Sequence, residues 1–178
     1  MNVKDAKIYA KKLLTPIRDR ILGIDSGTHE WRIWAKTGND ISLDLAMFLD
    51  LEDVYDQKGL VGNIKIGEIN YSFYIKHGCG GGKTQAYKMR KMKELALIVK
   101  NADFYLMSHI HDILTFQIEP KFIDMETKKL VELKQTFVSS GSYLKYGGYA
   151  EEFDFEPGKN GSPRIRLNGI KKDIHVSI

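Results

Sequence analysis

The hydrophobic period of this chain changes twice near its middle, and that limits what it can fold into. From Gly62 to Gly67 and from Ile69 to Lys76, apolar and polar residues alternate, as in the half-buried strands of a hairpin. From about Thr84 to Lys100 the period lengthens to that of an amphipathic helix. There Met89, Met92, Leu95, Ala96 and Val99 are expected to face inward, and Lys88, Arg90, Lys91 and Lys93 outward. Asp103 to Ser108 then reads as a buried strand.

Upstream, Asp5 to Arg20 reads as a helix with Ile8, Leu13, Leu14 and Ile17 on one stripe and Pro16 marking a late kink or end. Ile21 to Ile24 is a short strand running into a turn at Asp25-Ser26-Gly27. Short helices are expected at Trp31 to Lys36 and at Ser42 to Leu51, the second with Leu43, Ala46, Met47 and Leu51 on one face. Downstream the chain is strand-like: Ile113 to Ile118, Lys121 to Asp124, Leu130 to Ser139, Pro163 to Leu167 and Lys171 to Ile178. Met125 to Lys128 is expected to form a hairpin turn, and Pro157 to Gly161 a surface loop. The pattern predicts layered α/β architecture in a single domain over residues 1–178.

Composition narrows the function classes. With 43% hydrophobic and 28% charged residues, the chain is neither disordered nor low-complexity. No apolar run reaches the ~20 residues of a membrane helix, and the charged stretch Met1 to Lys12 does not read as a signal peptide. The one cysteine, Cys79, excludes an internal disulfide and fits a cytoplasmic location. A net charge of +4 suits an anionic partner such as a phosphoester or nucleic acid.

Of the five histidines, His29, His77, His109 and His111 fall at expected strand ends or in glycine-rich turns, where α/β layers present ligands. His109 and His111, two apart, would lie about 6.6 Å apart along an extended strand. His77 opens the loop Gly78-Cys79-Gly80-Gly81-Gly82, which has little side chain to keep a ligand away. That loop followed by Lys83-Thr84 invites comparison with a P-loop, but three residues separate its glycines where four are needed. His175 has no evident partner and reads as structural.

Gly27-Thr28-His29-Glu30 resembles the Gly-Asn-His-Glu motif of calcineurin-like metallophosphoesterases. His77-Gly78 resembles that family's single-histidine motif, and Ser108-His109-Ile110-His111 its closing Gly-His-x-His motif, all in the family's order. The resemblance implies a layered α/β/β/α sandwich, truncated at its N-terminus, in the manner of short phage-type members. It implies divalent metal chemistry (manganese, iron, zinc or nickel), with His77 and His109 on one ion, His111 on the other and Thr28 at a ligating position. His29 would be the catalytic acid on the leaving oxygen. Gly78, Lys83 and Arg32 would face the substrate phosphate; Asp112, by its place next to His111, would either orient that ring or lie in solvent.

The departures are specific. The family's Asp-x-His and Gly-Asp-x-x-Asp motifs do not stand ahead of Gly27, so the carboxylate that bridges the two ions is missing. Thr28 replaces asparagine, and Ser108 replaces glycine, which matters only where the backbone needs positive φ. The expected function is half of a phosphodiesterase or nuclease-like site. A partner chain carrying the missing motifs, or a second copy, would complete it and cover an apolar sheet face otherwise left bare. The alternative is a degenerate, non-catalytic relative kept for binding or scaffolding.

Overall fold

The computed structural model describes residues 2–143, 147–152, 154 and 161–178, so the loop expected at Pro157 to Gly161 lies, up to residue 160, outside the described residues. The chain is a mixed α/β protein that divides into two compact units, Met1–Leu60 and Val61–Ile178. No helix among the described residues is long and apolar enough to cross a membrane.

In the first unit, helix α1 (Val3–Leu14) starts where the Asn2 side chain accepts the Asp5 amide. It gives way to a 3-10 turn at Thr15–Arg20, at the point where Pro16 removes a backbone donor. Strand β1 (Ile24–Asp25) leads into α2 (Thr28–Thr37), which ends on Gly38 in the left-handed conformation. Helix α3 (Ile41–Phe48) follows, and β2 (Tyr55–Asp56) returns parallel to β1 with Ile24 opposite Tyr55. Helix α1 meets α3 through the Lys7–Asp44 ion pair at 2.7 Å and through Lys7 and Lys11 over the Phe48 ring. The apolar stripe expected to be α1's buried face is exposed instead, at 57% for Ile8, 55% for Leu13 and 46% for Ile17. The long lysine stems supply the packing surface in its place.

Asp40 ties this unit together. One carboxylate oxygen caps α3 on the amides of Ser42 and Leu43, and the other accepts the Tyr55 hydroxyl at 2.5 Å. Burial, reinforced by the Asp40 hydrogen bond and charge, holds the Tyr55 phenol well above its ordinary ionisation range.

In the second unit the period-two pattern becomes a five-stranded sheet. Its strands are β3 (Leu60–Ile66), β4 (Ile69–Lys76), β5 (Phe104–Met107), β6 (Thr115–Ile118) and, after the hairpin of β7 (Lys121–Ile123) and β8 (Leu130–Glu132), β9 (Gln135–Ser139). The order is β3-β4-β5-β9-β6, with β4, β5 and β9 parallel and β6 antiparallel to β9. Helix α4 (Gln85–Ile98) covers one face, where Met92 and Leu95 pack with Tyr74, Tyr105, Met107 and Phe137. After the short α5 (Tyr149–Glu152), the hairpin of β10 (Arg164–Leu167) and β11 (Ile174–Ser177) covers the other face, over Tyr71, Phe73 and Phe104. Strand alternation sends Tyr71 and Phe73 to one side and Tyr74 to the other. The bare sheet face expected from the sequence is therefore not found among the described residues.

Two further expectations are corrected. Leu130 to Ser139 is not one strand: 130–132 is exposed and pairs with β7, whereas all of β9 is buried as the inner strand between β5 and β6. On α4, Lys88 faces in and is buried, while Met89 is exposed. Buried polar groups are met internally. Gln135 donates to the Lys100 and Ala102 carbonyls and to the Tyr105 hydroxyl, which donates to the Val99 carbonyl at 2.6 Å. Asp103 accepts from the Ser72 amide and from Lys172 at 2.7 Å. Tyr71 donates its hydroxyl to carbonyls of the β10–β11 turn and accepts the Asp173 amide.

Two outcomes are expected. Phe137, fully buried and stacked between Tyr105 and Phe116, is the centre of this core. Phe137→Ala should cost about 3–5 kcal/mol in urea denaturation, and a loss under ~1 kcal/mol would contradict the packing. For Tyr55, a folded phenol that resists ionisation contributes stability fully present below pH ~10 and lost as pH rises past that value. The Tm advantage of wild type over Tyr55→Phe should shrink between pH ~9 and ~11.5. A constant difference would exclude the Asp40–Tyr55 bond as its source.

Candidate functional site

Strands β4 and β5 run parallel with Lys76 opposite Met107. His77 is the first residue beyond β4, and Ser108 and His109 are the first two beyond β5. The register alone thus delivers two histidines to the carboxyl end of neighbouring parallel strands, where open α/β sheets collect their ligands. Ser140, the first residue beyond the third parallel strand, joins them by donating its hydroxyl to Ser108 Oγ at 3.1 Å.

The two imidazoles meet edge to face. His77 Nε2 lies 3.2 Å from His109 Nδ1, and the ring centroids are 5.1 Å apart. His109 Nε2 lies 2.9 Å from the Gly80 carbonyl oxygen. A carbonyl only accepts, so Nε2 of His109 carries the proton and, in the neutral ring, Nδ1 presents its lone pair toward His77.

The local backbone is built for this approach. Gly78 has φ +88°, and a Cβ there would fall 2.3 Å from Met107 Cε. His109 and His111 both adopt left-handed backbone, at φ 65° and 53°, a conformation uncommon outside glycine and concentrated at functional positions. Between them Ile110 is 7% exposed and plugs the core. Ser108 is not in positive φ, so serine in place of glycine is tolerated there.

The other sequence-derived candidates are distributed as follows. His111 is exposed and Cys79 is a free, exposed thiol. The Lys83 ammonium lies 4.0 Å from the Asp154 carboxylate. Thr28, His29 and Arg32 belong to the first unit, where β1 gives way to α2, so the motif opens a helix and does not sit in the turn expected ahead of one. His29 and Arg32 are exposed, and Thr28 Oγ1 is buried without a hydrogen-bond partner among the described residues. The letters Asp-x-His do occur at Asp173-Ile174-His175, but at the start of β11. There Asp173 lines a cavity with Asp103 and Thr136, at the amino ends of the parallel strands.

The nitrogens of the pair make a hydrogen bond here, and their spacing is that of two ligands on one metal ion. Two nitrogens bound at ~2.0–2.1 Å to a tetrahedral ion lie about 3.3 Å apart, close to the observed 3.2 Å, and ligating histidines commonly donate their other N–H to a carbonyl. A complete centre is not assembled: among the described residues no three His, Cys, Asp or Glu side chains converge to hold a metal. Sequence reasoning found both histidines but not Ser140, the Gly80 carbonyl or the inward Lys88. Only Ser140 carried a readable signal, as the residue after the strand expected to end at Ser139.

No protein-family model and no curated protein matches the chain. Among solved structures, Vps29 from Entamoeba histolytica, complexed with zinc, overlaps 88% of this chain and 97% of its own at 14% identity and a TM-score of 0.30. A likeness at that level fixes neither family nor chemistry.

Long-range 1H–15N spectra at neutral pH should show His109 as the Nε2–H tautomer. Finding Nδ1–H instead would contradict the Gly80 contact.

Proposed function

We propose that the chain carries half of a metal-dependent phosphoester hydrolase site, of phosphodiesterase or nuclease type. The observation that carries this reading is the His77–His109 pair: 3.2 Å between facing nitrogens at the ends of adjacent parallel strands, with His109 oriented by a backbone carbonyl. The proposed fold is an α/β/β/α metallophosphoesterase-type sandwich. Its helix–sheet–hairpin layering in the second unit is compatible with that class.

In this reading His77 and His109 hold a divalent ion (manganese, iron, zinc or nickel), whose chemistry would be to polarise a phosphoryl oxygen. His111 and Thr28 are the further ligand candidates from this chain. Lys83 and the open backbone at Gly78 receive the phosphate charge, and His29 and Arg32 of the first unit are kept as the candidates for proton donor and phosphate contact. The bridging carboxylates come from a partner chain carrying Asp-x-His and Gly-Asp-x-x-Asp, or from a second copy. The exposed Ile8, Leu13, Ile17, Trp31 and Trp34 of the first unit are apolar surface that such a partner would cover. Nucleic acid or a nucleotide is the proposed substrate, and the cytoplasm the proposed location.

One observation favours a second reading, a non-catalytic binding or scaffold relative: the absence, among the described residues, of a third converging ligand.

The deciding assay is manganese-dependent hydrolysis of bis-p-nitrophenyl phosphate, with and without a chain supplying the two carboxylate motifs. The hydrolase reading expects turnover only in the mixture, lowered ~100-fold or more by His109→Ala, the scale on which misplaced catalytic groups register. Metal binding with no turnover in any combination supports the scaffold, and neither binding nor turnover ends the metal reading.

A further inference from the structure

We infer that Lys88 is a positioning residue for the His77–His109 pair, acting through Asp112. This rests on the site reading above, but its primary readout is independent of any metal.

Lys88 is buried in α4, with its side chain 11% exposed, and its ammonium lies 2.9 Å from Asp112 Oδ2. A lysine is among the costliest residues to bury, and a buried ion pair is often no more stabilising than a well-packed apolar pair of the same volume. Stability is therefore a poor reason for this pair to exist, and its location supplies a better one. Asp112 closes the segment in which His109 and His111 adopt left-handed backbone.

The ties on that segment include these three. Ile110 sits in the core, and the Asp112 carbonyl accepts a hydrogen bond from Ser139 Oγ, which itself accepts the Leu114 amide at 2.8 Å. The third tie is Lys88. The first two fix the apolar plug, in the same core cluster as Met92 and Leu95 of α4, and the main chain, whereas Lys88 is the charged tie from α4 to the carboxylate that closes the segment.

That helix also meets the opposite wall of the site. Tyr87, next to Lys88, lies so close to the glycine loop that a Cβ on Gly80 would fall 2.5 Å from its hydroxyl and one on Gly82 2.3 Å from its ring. Gly80 is the residue whose carbonyl holds His109 Nε2. Consecutive residues of one helix thus grip both supports of the His109 ring: Tyr87 the loop that orients it, Lys88 the segment that carries it. Movement of either relative to the other would turn the ring off the Gly80 carbonyl and release the Nδ1 lone pair from its alignment with His77.

The test compares wild type with Lys88→Met, Lys88→Arg and the double variant Lys88→Met/Asp112→Leu. The readouts are the His109 tautomer by long-range 1H–15N spectra of the metal-free chain and the affinity for zinc by calorimetry. Lys88→Met should give a mixture of His109 tautomers and bind zinc about 10–100-fold more weakly, the usual range for losing a group that orients a ligand. Lys88→Arg should recover most of both. The double variant should melt near wild type yet keep the disturbed tautomer, which a purely structural role would not produce. Should Lys88→Met not fold, the double variant decides. A wild-type tautomer in either apolar variant overturns the proposal. Absence of zinc binding in wild type counts against the metal reading instead, leaving the tautomer result to judge Lys88.

Discussion

The register between two parallel strands is the constraint on which the rest depends. With Lys76 set opposite Met107, the first residues past β4 and β5 have to leave the sheet side by side. His77 and His109 occupy those places and meet at 3.2 Å. A slip of one residue would turn the side chains of one strand to the other face and remove the apposition. The core enforces the register, because Tyr74, Tyr105 and Phe137 on one face and Phe73 and Phe104 on the other are buried only in this alignment.

Around that register the backbone is shaped for close approach. Gly78 admits Met107 where a side chain could not sit, and the left-handed conformations of His109 and His111 turn the chain sharply while Ile110 stays in the core. Non-glycine residues held in that region cost stability, and such costs persist where the surroundings over-determine them. Here the surroundings are Ile110 in the core, Ser139 on β9 and Lys88 on α4. The chemistry available is that of two apposed imidazole nitrogens, a donor type that suits a borderline metal ion better than a hard one.

How much of this was legible in the sequence depends on the kind of signal. Alternation at Ile69 to Lys76 and the helical period from about Thr84 located β4 and α4 closely, because a half-buried strand and an amphipathic helix leave clear periodic marks. The stripe Ile8, Leu13, Ile17 was misleading, because periodicity shows that a helix has an apolar face and not what covers it. Lys88 was read outward because charge is normally solvated, and only the fold reveals Asp112 beneath it. Leu130 to Ser139 ran together as one strand because no glycine or proline marks the break, which burial alone makes. The nearness of His77 to His109 was implied by the family resemblance. The Gly80 carbonyl was not, since a main-chain acceptor carries no letter.

The central claim is that two imidazoles from neighbouring strand ends form one ligand pair. Zinc K-edge absorption on the chain loaded with a single equivalent of zinc tests it most directly. The account predicts scattering from two imidazole nitrogens at ~2.0–2.1 Å, completed by oxygen. A spectrum with a sulfur neighbour from Cys79, or with no imidazole in the coordination shell, would contradict it.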